Sequence, residues 1–212
     1  MSKAAELASF IGNGTLGSGV AEDKKIVFDG NAQDFHVGLD DSTDSLTIGL
    51  GSTLGTTSHM VIDANGHITK PSQPSFYVDK TDSQQSVGVN SDTTITYTTE
   101  RYDVGSNFAS STFTAPVTGK YYLNAGILLG NPPTDAAYCE CAIVTSNRRI
   151  GHLTDYDGLD QESVYWCVNM SCVVDMDAND TAAVRVYQAG GADNTFVFHN
   201  SASSYFTGIL IG

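Results

Sequence analysis

Positive charge is scarce in this chain. Ten lysines and arginines stand against 24 aspartates and glutamates in 212 residues, a net charge of −14. Such a surface repels phosphate backbones and anionic membranes, so neither nucleic acid nor acidic lipid is an expected partner. Long apolar runs are missing as well. Nowhere do about 18 apolar residues follow one another, so no membrane-spanning helix is expected. Proline is rare, with 5 residues, and the 21 glycines follow no Gly-X-Y period, which removes collagen. Met1 to Lys25 shows no basic stretch followed by an apolar one, so no secretory signal is expected. Hydrophobic residues still make up 41 % against 16 % charged, the balance of a chain that folds.

Catalytic motifs are also absent. The sequence has no G-x-S-x-G elbow, no H-E-x-x-H and no Walker-type phosphate loop. Gly49-Leu-Gly-Ser-Thr-Leu-Gly55 lacks the glycine spacing and following helix of a dinucleotide site. The five histidines, at 36, 59, 67, 152 and 199, are scattered. A glycan depolymerase would need two carboxylates about 5–10 Å apart in a groove, and no groove signature accompanies the carboxylates here. The expectation is a non-enzymatic protein.

Four cysteines lie at 139, 141, 167 and 172. One residue between Cys139 and Cys141 is too few for a zinc knuckle. In a strand Val164, Trp166, Val168, Met170, Cys172, Val174 and Met176 share one face, which places Cys172 with Trp166 inside and Cys167 on the other side. Two disulfides cannot be drawn from that parity without a bulge, so four free thiols made in a reducing cytoplasm are expected.

Punctuation divides the chain near Lys70-Pro-Ser-Gln-Pro74. Upstream, Ser2 to Ile11 suits a short amphipathic helix with Leu7, Phe10 and Ile11 on one side, or a frayed end, followed by a glycine-rich linker. Short apolar runs follow: Lys25–Phe28, Phe35–Leu39, Leu46–Leu50, Met60–Asp63 and His67–Thr69. Turn signals separate them at Asp29-Gly-Asn31, Asp40-Asp-Ser42 and Ala64-Asn-Gly66. Each run is too small to bury anything alone, so burial shared between chains, as in a fibre shaft, is expected for residues 26–73. A small independent β-domain is the alternative.

Downstream, the runs lengthen. Phe76–Val78, an alternating Thr93–Tyr102, Ser111–Pro116, Gly119–Leu129, Tyr138–Val144, Ser163–Met176, Ala182–Gln188, Thr195–His199 and Tyr205–Ile211 read as strands between turns. Roughly eight to ten strands without helical periodicity predict an all-β, antiparallel sandwich or jelly roll.

Three segments carry a resemblance. Phe113-Thr-Ala-Pro-Val-Thr-Gly-Lys-Tyr-Tyr122 resembles the F-x-A-P-x-x-G-x-Y signature of the C1q-like head, a relative of tumour necrosis factor. Asp177-Ala-Asn-Asp-Thr-Ala-Ala-Val-Arg-Val-Tyr187 resembles that family's turn-then-strand element, with Asn179 where glycine is usual; asparagine also tolerates the left-handed turn. Ser203-Ser-Tyr-Phe-Thr-Gly-Ile-Leu-Ile211 resembles its final strand. The resemblance covers residues 74–212 and rests on Phe113, Ala115, Pro116, Gly119, Tyr121, Tyr205, Phe206 and Gly208. It implies a C1q/TNF-like jelly-roll knob that forms a homotrimer, with first and last strands near the base. A second resemblance covers residues 26–71: Ile26–Asp41 and Met60–Pro71 are similar to segments in tail-fibre and other virion proteins of marine bacteriophages. It implies a virion protein assembled in the host bacterial cytoplasm.

Two acidic clusters stand out. Asp175-Met-Asp-Ala-Asn-Asp180 starts like a calcium loop but lacks the sixth-place glycine and the twelfth-place glutamate, where Val186 sits; calcium is the minor reading and a plain turn the major one. Asp155, Tyr156, Asp157 and Asp160 combine carboxylates with an aromatic ring, which suits stacking and hydrogen bonding to sugar hydroxyls. A solvated turn is the simpler reading of the same residues. Asn131-Pro-Pro-Thr-Asp135 is another exposed-loop candidate, and which loops lie far from the stalk is open at this stage.

These observations support a trimeric phage fibre or spike. Residues 1–25 would anchor it to other virion proteins, 26–73 would form a shaft, and 74–212 would bind a host-surface glycan or protein. Three weak sites on one head gain avidity without new contacts. The alternative is a trimeric capsid decoration or head-fibre protein, favoured by a length of 212 residues, short for a fibre that reaches a host. No cofactor is expected.

Overall fold

A computed structural model describes residues 14–158, 164–199 and 203–212. The described residues form strands and turns with no helix, and the chain divides into two units, Met1–Gln73 and Pro74–Gly212. The expected helix over Ser2–Ile11 lies outside the described residues.

In the first unit five strands form one antiparallel meander: β1 Lys24–Phe28, β2 Phe35–Asp40, β3 Ser45–Leu50, β4 Ser58–Ile62 and β5 Ile68–Thr69, in that order across the sheet. Three of the four connections are turns the sequence marks; the 51–57 loop between β3 and β4 is not. Asp44 and Gly66 take positive φ, and the Asp63 side chain accepts from the amides of Asn65 and His67. Strand alternation separates two faces of opposite character. His36, Asp40, Ser45 and Thr47 fall on one face and are buried. The 51–57 loop lies against that face, with Leu54 buried and His36 Nδ1 2.9 Å from Gly51 O. Apart from Val27 and Val61, which pair with His36 and Thr47 on the polar side, the apolar side chains of the strands fall on the other face, and most are exposed.

The second unit contains β6 Ser75–Asp79, β7 Gln85–Ser86, β8 Asp92–Thr94, β9 Thr99–Val104, β10 Phe108–Ala109, β11 Thr112–Thr114, β12 Gly119–Gly130, β13 Ala136–Thr145, β14 Arg149–Asp155, β15 Tyr165–Met176, β16 Thr181–Gly190, β17 Phe196–Val197 and β18 Tyr205–Leu210. They make two antiparallel sheets. One has the order β10-β11-β16-β13-β14, with β8 also on β16. The other has the order β7-β17-β12-β18-β6-β9, with β15 also on β12. The chain changes sheet from β7 to β8, from β8 to β9, from β9 to β10, from β11 to β12, from β12 to β13, from β14 to β15, from β15 to β16 and from β16 to β17. That crossing pattern makes the unit an all-β jelly roll, as expected.

The core lies between the sheets. Phe76 is its centre, with ring centroids of Phe113, Phe206 and Phe108 at 4.7, 4.9 and 5.2 Å. Tyr121, Leu123, Ala125, Ile127 and Leu129 alternate inward along β12, and Val184, Val186, Cys141 and Ile143 face them from the other sheet. The signature residues gain physical reasons here. Phe113 and Tyr121 fill the core, while the Tyr121 hydroxyl donates to Val117 O at 2.8 Å. Ala115 is buried and exchanges backbone bonds with the 177–180 turn, whose Asn179 takes φ +75°. Pro116 is exposed in the turn before Gly119. A methyl group at Gly208 would sit 2.6 Å from Phe76 and 2.7 Å from Leu123, so only glycine fits beneath those rings.

Three expectations need correction. Thr93–Tyr102 is not one strand: β8 pairs with β16, β9 pairs with β6, and residues 95–98 cross between the sheets. The crossing is held by Ile95 and Tyr97, both buried, and by their amides donating to Val184 O and Ser111 Oγ. Arg149–Thr154, absent from the expected strands, and Asp155, expected in the acidic loop, form strand β14; it is an exposed edge strand whose burial never alternates cleanly, so no apolar pattern announced it. Val164 is 60 % exposed because it precedes β15 rather than joining it. The remainder of that parity holds: Val168, Met170, Val174 and Met176 are buried, Trp166 and Cys172 pack against the core, and Cys167 is exposed. All four cysteines are free.

Charge pairing predicts an acid limit for this unit. The nearly buried Lys80 ammonium donates to Asp82 at 2.9 Å and holds its carboxyl down at about 2. Arg149, aided by Arg185, lowers Asp92. Carboxyl groups depressed in the folded state contribute stability above their unfolded range near 3.8 and lose it as pH falls toward the folded value. The melting temperature is therefore expected to decline steeply between about pH 4 and pH 2, and less steeply in Asp82→Asn. Equal slopes for the two proteins would show that Lys80–Asp82 contributes nothing.

Candidate functional site at the free end of the jelly roll

Strand register decides which loops share an end. Pro74 O accepts from Leu210 N at 3.0 Å, Tyr121 pairs with Leu210, and Gly119 pairs with Met176. The chain entry, the C-terminus, the Ala115–Gly119 turn and the 177–180 turn therefore share one end. At the other end Gly130 pairs with both Tyr165 and Phe196, Ala136 with Gly190, and Tyr138 with Asp155. The 131–135 loop, the acidic loop after β14 and the 191–195 loop thus emerge together, opposite Pro74. The 177–180 turn, the former calcium candidate, lies at the entry end. Its carboxylates are engaged within the turn region: Asp180 accepts from Asp177 N and Asn147 Nδ2, and Asp177 accepts from Thr118 Oγ1.

The acidic loop keeps only part of its expected role. Asp155 and Asp157 are exposed at the free end, and Asp160 lies outside the described residues. Tyr156 is not available to a ligand, because its side chain is wholly buried beside Cys139 and Cys141. Its hydroxyl lies beside the Cys139 thiol, a weak partner at most. Burial pushes the phenol up, and a hydrogen bond with Cys139 together with burial pushes the Cys141 thiol up, so both stay protonated at neutral pH. Strand parity explains the miss. Tyr156 follows directly on β14, and its ring fills a core space left by two small thiols.

A cleft of about 500 Å³ opens at the same end, lined by Asn131, Pro133, Asp193, Asn194 and Phe196. Its rim is built. Asn131 takes φ +50° and its amide donates to Val164 O. The fully buried Gln188 organises the other wall: its Nε2 donates to Gly190 O at 2.9 Å and Asp193 O at 2.8 Å, and its Oε1 accepts from Thr195 N at 2.7 Å. Asp135 Oδ2 accepts from Ala192 N at 2.9 Å, tying the two loops together. The side chains of Asp193 and Asn194 remain exposed, and Phe196 shows part of its ring. One carboxylate, two amides and a ring form a surface for hydroxyl or amide groups, with ordering already in place before binding. Of these residues the sequence drew attention only to the Asn131–Asp135 segment. Gln188 gave one weak signal, a polar side chain inside an apolar strand just before Gly190-Gly191.

Among the described residues no group of three or more His, Cys, Asp or Glu side chains is gathered in metal-binding geometry. No family model matches the chain, and no curated protein matches it. Solved structures do resemble it. C1q and TNF-family heads are its neighbours in fold. The globular domain of zebrafish complement 1qA is 16 % identical, over 66 % of this chain and 98 % of that one, with a TM-score of 0.48. Murine APRIL at pH 8.0 is 11 % identical over 66 % and 99 %, with a TM-score of 0.48. The Eiger TNF of S. frugiperda is 10 % identical over 66 % and 93 %, with a TM-score of 0.46. The assignment of the jelly roll rests on the strand order given above.

Proposed function

We propose that this protein is a non-enzymatic structural protein of a bacteriophage virion, a short trimeric spike. Its C-terminal jelly roll binds a host-surface receptor, residues 26–73 form a shaft, and residues 1–25 contact other virion proteins. Assembly takes place in the host bacterial cytoplasm, consistent with four free thiols. The observation that carries the trimer is a row of exposed apolar side chains across the outer face of one sheet. Val173, Tyr122 and Ile209 lie in register over β15, β12 and β18 and are 39–55 % exposed. Tyr77, Tyr102 and Tyr205 continue this face, with the Tyr77 and Tyr205 rings stacked 5.8 Å apart. A soluble single chain has little reason to display such a surface, and three copies cover it mutually. The virion assignment draws support from the resemblance of residues 26–71 to phage fibre segments.

Receptor contact is assigned to the free-end cleft, with Asp193, Asn194 and Phe196 in place of Tyr156. The test is binding of the labelled full chain to bacterial cells and to their purified surface polysaccharide. Phe196→Ala with Asp193→Ala is expected to weaken binding at least tenfold, about 1.4 kcal/mol per site, without changing the melting temperature. Undiminished cell binding by that folded variant would remove the cleft from the receptor site. Absence of cell binding by the wild-type chain, with thermal protection of capsids instead, would favour the decoration reading.

A further inference from the structure

The first unit presents an apolar face that its own strands leave open. Three registered rows build it: Phe28, Phe35 and Leu50; Ile26, Val37, Ile48 and Met60; and Leu39, Leu46, Ile62 and Ile68. Seven of these side chains, on all strands but β4, are 39–60 % exposed. Large apolar side chains exposed side by side in this way differ from the singly scattered ones that are ordinary on a monomer surface. A two-layer fold normally turns such a face inward, yet here the buried face is the polar one, with His36, Asp40, Ser45 and Thr47.

The occupant follows from charge and edge chemistry. Every copy of the chain carries a net charge of −14, so copies repel wherever their carboxylates meet. Among the described residues no carboxylate lies within the three rows. Asp29, Asp34, Asp41, Asp44 and Asp63 sit in the turns, and Asp40 is on the opposite face. At its corner Lys24 is neutralised by Glu22. Among the described residues, the three rows carry no hydrogen-bonding side chain for a sugar, an acidic peptide or a nucleic acid. The β1 edge opens with Lys24 and Lys25, which opposes growth by strand addition and leaves the face as the contact.

We infer that this face is a self-association surface: copies of the chain pack their N-terminal sheets against one another and share one apolar core. The contact is independent of the jelly-roll flank; only the number three rests on the trimeric reading proposed above. It gives the shaft a physical basis, since a five-stranded sheet with an open apolar side is completed only by its counterparts.

The test uses the full chain with Cys167→Ser, which removes the exposed thiol. In that background Ile48→Cys, at the centre of the face, is compared with Lys25→Cys on the other face. Mild oxidation with diamide is expected to give an interchain disulfide with Ile48→Cys at least ten times more than with Lys25→Cys. A maleimide-polyethylene glycol reagent is expected to label the Ile48→Cys thiol at least tenfold more slowly. Equal labelling rates would overturn the inference by showing the face open to water. Slow labelling that becomes fast on deleting residues 1–13 would also overturn it, by identifying the chain's own N-terminus as the cover. Interchain disulfide in a species whose light-scattering mass is two chains would uphold the contact while removing the trimer.

Discussion

Phe206→Asp is expected to leave the C-terminal unit unfolded, with loss of near-ultraviolet dichroism and of any cooperative melt. Phe206 has no exposed surface and sits in the middle strand order β12-β18-β6. Its ring lies 4.9 Å from Phe76 and 6.3 Å from both Tyr97 and Phe108. Removing a buried phenylalanine costs about 3–5 kcal/mol on its own. The incoming carboxylate finds aromatic rings instead of a donor, and burying it unpaired adds several kcal/mol more (about 3–5 when a buried partner is lost). Their sum is comparable with the whole stability of a typical domain, about 5–15 kcal/mol. Phe206→Leu keeps the apolar contact and is expected to fold with a lowered melting temperature. A native melt for the aspartate variant would show that β18 does not run through the core.

The second large effect concerns assembly. Two separate faces, the Val173–Tyr122–Ile209 flank and the N-terminal apolar sheet, are assigned to contact between copies. Joined faces reinforce each other, because once one is engaged the other meets its partner at an effective concentration near millimolar. Ile209→Arg alone, or Ile48→Asp alone, is therefore expected to remain associated at high protein concentration, with a dissociation midpoint raised about 10²–10⁴-fold. Combining them is expected to give a monomer of 22.5 kDa at micromolar concentration, with the jelly roll still folded. Ile209 is 41 % exposed, so arginine there meets water in the separated chain and a desolvated apolar surface in the assembly. Light scattering across a dilution series reads the result. Complete dissociation by Ile209→Arg alone would leave the N-terminal sheet no share in assembly. A double variant that stays associated would rule out both faces.

Much of the C-terminal unit was legible because its signals are local. The Phe113–Tyr122 segment combines a turn at Pro116–Gly119 with inward alternation at Phe113 and Tyr121, and both occur where the pattern placed them. The β15 parity held at Val168, Met170, Val174 and Met176 for the same reason: alternation in one strand needs no knowledge of its partner. Thr93–Tyr102 misled because continuous alternation does not say whether successive residues pair with the same sheet. Tyr156 misled because an aromatic between two aspartates has the composition of a surface loop, while its depth is set by the small Cys139 and Cys141 across from it.

The first unit shows where pattern and burial part company. Short apolar runs between turn signals identified its strands, but nothing in them said whether Phe35, Val37 and Leu39 or His36, Gly38 and Asp40 would lie covered. The 51–57 loop folds over the polar set, an outcome set by Leu54 and the His36–Gly51 contact, and only three dimensions display it.

What the sequence determined by itself was the all-β class and the strands whose side chains alternate, because each follows from the chemistry of neighbours along the chain. The tertiary structure decided that the 131–135, acidic and 191–195 loops emerge at one end, that Gln188 braces a cleft there, and that an apolar sheet face is left open. Those outcomes depend on register between strands far apart in the chain, such as Gly130 with Phe196 and Ala136 with Gly190, and no local pattern encodes which distant partner a strand will choose.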